Sequence, residues 1–187
     1  MRRAMAPLSL AGAGVLLCLL VALLLAPRIA AQRQAAAERA LFDLLPAELH
    51  DDRPLDHPVA LPAGGLLGNA DAAPGYQARR AGMAQAVLLP VSADGYEGPI
   101  RLWVAIDRDG RLVGVKVLEQ HETPGLGDLA RHVGWLHGLQ NRRPDSLGAA
   151  DQIAGATVTS RAVTDALQRA LRFFDAHRDA LLAGDTP

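Results

Sequence analysis

The run from Leu8 to Ala26 is almost wholly apolar, and about 20 such residues are what a helix needs to cross a hydrocarbon core ~30 Å thick. A helix that is apolar on every side belongs in lipid or deep inside a large core. Arg2 and Arg3 precede the run, so the positive-inside rule puts the N-terminus in the cytoplasm, although Arg28 and Arg33 on the far side weaken the asymmetry. A cleaved signal peptide is the competing reading, since Ile29–Ala30–Ala31 offers small residues near a cut. The run exceeds a usual signal core and no clean Ala-x-Ala follows it, so an uncleaved anchor is expected. Leu17 stands where a lipoprotein signal wants a small residue before Cys18, which argues against lipidation. Under either reading the rest of the chain lies outside the cytoplasm.

Removing that segment leaves roughly 155 residues, one ordinary domain with one core. A formal net charge of -1 and 4% aromatic residues give no footing for a phosphate-tracking surface or a base-stacking platform. Cys18, the one cysteine, sits inside the apolar run. The soluble part therefore has no disulfide, no thiolate nucleophile and no cysteine ligands for zinc or iron–sulfur. Redox chemistry here would need a cofactor held another way.

Gln32 to about His50 reads as a helix leaving the membrane, with Ala35–Ala37 as strong helix formers and Leu41, Leu44 and Leu45 on one face. Asp51 to Gly82, rich in Pro, Gly and Asp without a clear period, reads as an irregular arm. Ala84 to Gln120 looks β. Ile100, Leu102, Val104 and Ile106 alternate, Leu112 to Leu118 is dense in branched apolar groups, and Asp107–Arg108–Asp109–Gly110 supplies a hairpin turn. Leu126 to Leu139 predicts a helix through Leu126, Leu129, Ala130, Val133 and Leu136, followed by a polar loop from Gln140 to Ala150. Trp103 and Trp135 read as core or subunit-contact residues. The expected organisation is a tip and transmembrane anchor at 1–27, a juxtamembrane helix and arm at 28–82, and an α+β domain at 83–187 with an antiparallel sheet and flanking helices.

Asp151-Gln152-Ile153-Ala154-Gly155-Ala156-Thr157-Val158-Thr159-Ser160 runs straight into an amphipathic helix whose buried stripe is Val163, Ala166, Leu167, Ala170, Leu171 and Phe174. Thr157, Thr159 and Ser160 thus fall at or just before a helix N-terminus, where unpaired amides and the helix dipole favour an anion such as phosphate. Gly155 and Ala156 leave room for a bulky group near the backbone. On spacing alone the plainer reading is the favoured one: Thr159 or Ser160 is an N-cap and Gly155 a turn.

The Asp151–Thr157 stretch resembles the flavinylation signature, Asp-x-x-(Ser/Thr)-Gly-Ala-Thr, of the FMN-binding domain shared by two ion-pump subunits. These are the G subunit of the Rnf/Rsx electron transport complex and the C subunit of the sodium-translocating NADH:quinone oxidoreductase. A second stretch agrees: Gly95-Tyr96-Glu97-Gly98-Pro99-Ile100 opens a strand, Gly110 to Leu118 forms the next, and His121-Glu122-Thr123-Pro124-Gly125-Leu126-Gly127 follows. The likeness runs from about Gly95 to Phe174. The sequence departs from the signature at Ala154, where the family has Ser or Thr, which removes one hydroxyl beside the phosphate.

The resemblance implies FMN joined as a phosphoester to Thr157 by a separate flavin transferase, within a periplasmic domain on a single-pass inner-membrane anchor. It also implies partners among the other membrane and iron–sulfur subunits of an ion-translocating oxidoreductase, with electron transfer rather than independent catalysis as this chain's part. Asp151, Gly155, Ala156, Thr159, Ser160, Glu122, Thr123, Gly125 and Leu126 are the further FMN-site residues it suggests. No residue is assigned a catalytic or metal-binding role. The loop His121–Gly127 is alternatively a plain strand-to-helix turn, His121 a structural residue and Tyr96 a packing residue. The length suits the G subunit better than the C subunit. An adaptor without flavin is the reading from a different class, one that would have no need of Thr157 in its Asp151 and Gly155 context.

Overall fold

Five strands follow one another in a meander, so each pairs antiparallel with its predecessor: β1 Pro58–Val59, β2 Gly75–Arg80, β3 Met83–Asp94, β4 Pro99–Asp107 and β5 Leu112–Glu119. The computed structural model describes residues 21, 23–28, 44–124 and 127–183. The chain divides into two units, Met1–Arg39 and Ala40–Pro187, and the sheet belongs to the second. In the first, residues 21 and 23–28 are helical and exposed. The rest of the Leu8–Ala26 run, with Cys18, lies outside the described residues, as does all of Gln32–Asp43. Among the described residues no helix is long and apolar enough to cross a membrane.

The sheet is built from local rules. Arg80 pairs with Met83 across a two-residue turn, Ala81–Gly82, with φ of 51° and 75°. Two positive φ values match the twist of the flanking strands. The expected turn at 107–110 forms: Asp107 accepts the amides of Asp109 and Arg111 at 2.9 and 2.8 Å, and Gly110 has φ 78°. Pro90 is tolerated in the long strand β3 because β2 pairing ends at Leu88, so its missing N–H leaves no ladder bond unmade.

Both faces of the sheet are covered. Val87, Leu89, Val91, Ala93, Leu102, Val104 and Ile106 point to the main core; Ala86, Leu88, Trp103 and Ala105 point to a second cluster with Leu44, Leu45 and Ala78. Strand period 2 separates the two sets. The main core is closed by the helix Thr157–Ala183, whose Val163, Ala166, Leu167, Ala170, Leu171 and Phe174 are all 0% exposed. Each large side chain of that stripe contributes about 1.5–3 kcal/mol by burial. The helix bends at His177, where φ is -122° and the ring sits 2.9 Å from the Phe173 carbonyl.

Two further helices are short, α1 Val133–His137 and α2 Pro144–Leu147; the long one is α3. Several expectations therefore change. The helix expected over 126–139 reduces to a 3-10 turn, Leu129–Arg131, and α1; Gly127, Gly134 and Gly138 interrupt the apolar spacing, each costing roughly 1 kcal/mol against Ala in a helix interior. The arm at 51–82 contains two strands of the sheet, because β2 is held by β3 and by Gln77, whose side-chain amide donates to the Leu181 carbonyl at 2.6 Å. The stretch before it holds a 3-10 turn, Ala47–Leu49, so the juxtamembrane helix does not reach His50. The loop at 140–150 includes α2.

Candidate functional site

The signature is shaped by what it hangs from. Ile153 and Ala156, each 6% exposed, plug into the main core. The Trp135 indole N–H donates to the Asp151 carbonyl at 2.6 Å, so Trp135 steadies the start of the motif. Gly155 turns the chain with φ 82°, a left-handed geometry that a Cβ would strain. The chain then enters α3 at Thr157.

The three hydroxyls expected here meet different fates. Thr159 is buried and donates to the Glu122 carboxylate. Ser160 is fully buried and donates to the Ala156 carbonyl at 2.9 Å. Thr157 is exposed and lines an open cleft of about 400 Å³. The amides of Thr157, Val158 and Thr159 belong to the helix's first turn, which has no intrahelical acceptors for them. A long helix, an exposed hydroxyl and unpaired first-turn amides together suit a phosphate ester.

Three segments wall the cleft: Tyr96; Glu122, Thr123 and Gly127; and Gly155 through Thr159. The loop after β5 is drawn tight by Gly127 N–H on the Thr123 carbonyl, 3.2 Å, and by Gln120, which donates to Asp128 at 2.6 Å and accepts the Leu129 amide at 3.1 Å. The β3–β4 turn closes through Gly95 N–H on the Gly98 carbonyl at 2.9 Å. The Thr123 hydroxyl donates to the Glu97 carboxylate, tying loop to turn.

Of the expected site residues, Glu122, Thr123, Gly155, Ala156, Thr157 and Thr159 come together on this cleft. Ser160 is spent inside the helix. Asp151 is exposed and is not among the cleft-lining residues; its backbone carbonyl accepts the Trp135 indole N–H instead. Gly125 and Leu126 lie outside the described residues. His121 is exposed and is not among the cleft-lining residues.

Tyr96 differs from expectation. It lines the cleft and is 72% exposed instead of packed, because the tight Gly95–Gly98 closure turns the intervening side chains outward. Val158, 54% exposed, also lines the cleft. Its position off the buried stripe of α3 is a signal the sequence carries. Gly127, buried against Glu122 and Thr159, also belongs to the site. Trp103 lies in the second cluster, 5.7 Å from the Tyr76 ring, away from the cleft. Burial pushes the Tyr76 phenol above its ordinary pKa.

An FMN-binding domain family matches residues 95–172, a span that holds all three cleft segments. The chain is 46% identical over 185 residues to the G subunit of the ion-translocating oxidoreductase complex of Pseudomonas aeruginosa, with 91% of this chain and 86% of the relative covered. It is 36% identical over 169 residues to the protein of that name from Shewanella loihica, covering 83% and 80%. In fold it is similar to the crystal structure of Shewanella oneidensis NqrC, with a TM-score of 0.52, 22% identity, and 74% of this chain and 78% of that one covered.

Proposed function

The chain belongs to the family of G subunits of ion-translocating oxidoreductase complexes, and from that premise we propose that it is the complex's flavoprotein electron-transfer component, with FMN esterified to Thr157. The observation that carries the attachment site is the exposed Thr157 hydroxyl on the first turn of a 27-residue helix, at the edge of a cleft. The neighbouring hydroxyls of Thr159 and Ser160 are buried and engaged.

The residues present fit the group. First-turn amides of α3 and the positive end of its dipole would meet the phosphate charge. Gly155 lets the backbone approach closely, and the walls from Tyr96, Glu122, Thr123 and Val158 enclose the space beside it. Bound FMN would supply one- and two-electron redox chemistry. The protein's part is tethering, orientation and electrostatic tuning, so no general acid, base or turnover nucleophile is required of this chain. During maturation Thr157 acts once: its hydroxyl loses a proton and its oxygen forms the bond to phosphorus, as a transferase breaks the pyrophosphate link of FAD and AMP departs.

Partners of stated kind follow from this reading: membrane and iron–sulfur subunits in turnover, and the flavin transferase before it. Intact-protein mass spectrometry of the chain from its native host tests the attachment. One FMN phosphoester per chain, resistant to denaturation, is the expected result; an unmodified mass, or yellow colour lost on denaturation, would overturn it.

The Leu8–Ala26 run with Arg2 and Arg3 before it supports a single-pass inner-membrane anchor and a periplasmic domain. A reporter active only outside the cytoplasm, fused after Pro187, should be active, and the mature chain should retain Cys18. A new N-terminus near Ala31 would mean a cleaved signal peptide.

A further inference from the structure

We propose that Glu122 is a positioning residue that fastens the three walls of the flavin cleft into one rigid unit; the inference rests on the reading of Thr157 as the FMN attachment point. Glu122 is 6% exposed, a charged side chain set into the wall of a redox cleft. Its Oε1 accepts the Glu97 amide at 3.1 Å, which holds the β3–β4 turn. Its Oε2 accepts the Thr159 hydroxyl, which holds the first turn of α3. Glu122 itself belongs to the loop after β5. One carboxylate thus joins its own loop to two segments that lie 25 and 37 residues away from it in sequence.

The surroundings have been cleared for it. A Cβ at Gly95 would run into Glu122 Oε1 and come within 2.7 Å of Ile100 Cδ1. A Cβ at Gly127 would stand 2.8 Å from Glu122 Oε2 and 3.1 Å from Thr159 Oγ1. Both glycines therefore let backbone lie directly on the carboxylate. Stability alone does not call for this arrangement, because an apolar group of the same shape often serves as well as a buried charge. A fully engaged polar network does supply one defined geometry. That is what a tethered flavin needs: the phosphoester holds one end, and several single bonds separate it from the ring. Rigid walls must hold the ring itself.

The test compares wild type, Glu122→Ala, Thr159→Val and Thr159→Ser, each as the full chain in its native complex. Covalent FMN is measured by mass, and the bound flavin by fluorescence anisotropy, absorbance band shape and midpoint potential. Expected for Glu122→Ala and Thr159→Val is an FMN load near wild type, with anisotropy falling at least ~2-fold, a featureless water-like absorbance band and a shifted potential. Thr159→Ser keeps the donor and should restore all three. If Glu122→Ala does not fold, Thr159→Val, which keeps the volume and removes one donor, decides. Variants that lose stability while anisotropy, band shape and potential stay at wild-type values would overturn the proposal and leave Glu122 a folding residue. A wild-type chain without any FMN mass would overturn the attachment reading, and this inference with it.

Discussion

Thr157→Ala is expected to abolish covalent flavin altogether: no FMN mass increment, no in-gel flavin fluorescence and no flavin absorbance surviving denaturation. The argument rests on how the helix start disposes of its hydroxyls. Thr159 and Ser160 have given theirs to Glu122 and to the Ala156 carbonyl, and both are buried. A transferase cannot reach them without unwinding the first turn. Thr157 is exposed on the cleft, so its replacement removes the acceptor oxygen and little else. Substitutions at such exposed positions change stability by about 0.5 kcal/mol or less, and the loss of flavin will not be confused with loss of fold. Thr164→Ala, further along α3, deletes a hydroxyl that bonds the Ser160 carbonyl at 3.0 Å; it should keep the full FMN load. Fluorescence retained in Thr157→Ala would sink the assignment.

The motif and the helix behind it were legible because both are local. The stripe from Val163 to Phe174 repeats at helical spacing and is buried at every position named from the sequence. The alternation from Ile100 to Ile106 likewise marks strand β4, although there both faces turn out to be covered. What could not be read depends on distant partners. β2 contains Gln77, Arg79 and Arg80, poor signals for a strand, and it is specified by pairing with β3 and by the bond from Gln77 to Leu181. The 126–139 segment carries apolar spacing that a helix would use, and Leu129, Leu136 and Leu139 are indeed buried, but its glycines break the helix into short turns. At the site, Glu122 looks no different from its neighbours in sequence. Its role comes from Glu97 and Thr159, which only the folded chain brings to it. Tyr96 reads as a packing residue in sequence because its exposure depends on the closure of the Gly95–Gly98 turn.

Phe174→Ala should be the most destabilising single change in the sheet–helix core, costing about 3–5 kcal/mol. Against a typical domain stability of roughly 5–15 kcal/mol, that brings the fold close to its limit. Phe174 is 0% exposed and heads the largest fully buried side chains. It sits on the stripe of α3 that packs into the main core, three residues before the bend at His177. A methyl there leaves a void that a five-strand sheet and a long helix cannot both close, so the cavity cost adds to the lost transfer energy. The denaturant midpoint should fall with m unchanged, as for a pure stability change. Phe174→Leu refills most of the space and should lose clearly less. The competing source of stability at this position is the Arg178 guanidinium, 5.5 Å from the ring centroid. A cation–π contact at a partly exposed site contributes about 0.5–1 kcal/mol, too little to account for the cost expected of Phe174→Ala. Arg178→Gln separates the two: it removes the cation and keeps the ring, so a loss near 1 kcal/mol assigns the remainder to packing. A loss matching that of Phe174→Ala would instead mean that the charge, with its bonds to Asp175 and the Asp109 carbonyl, is what pins the helix to the β4–β5 turn.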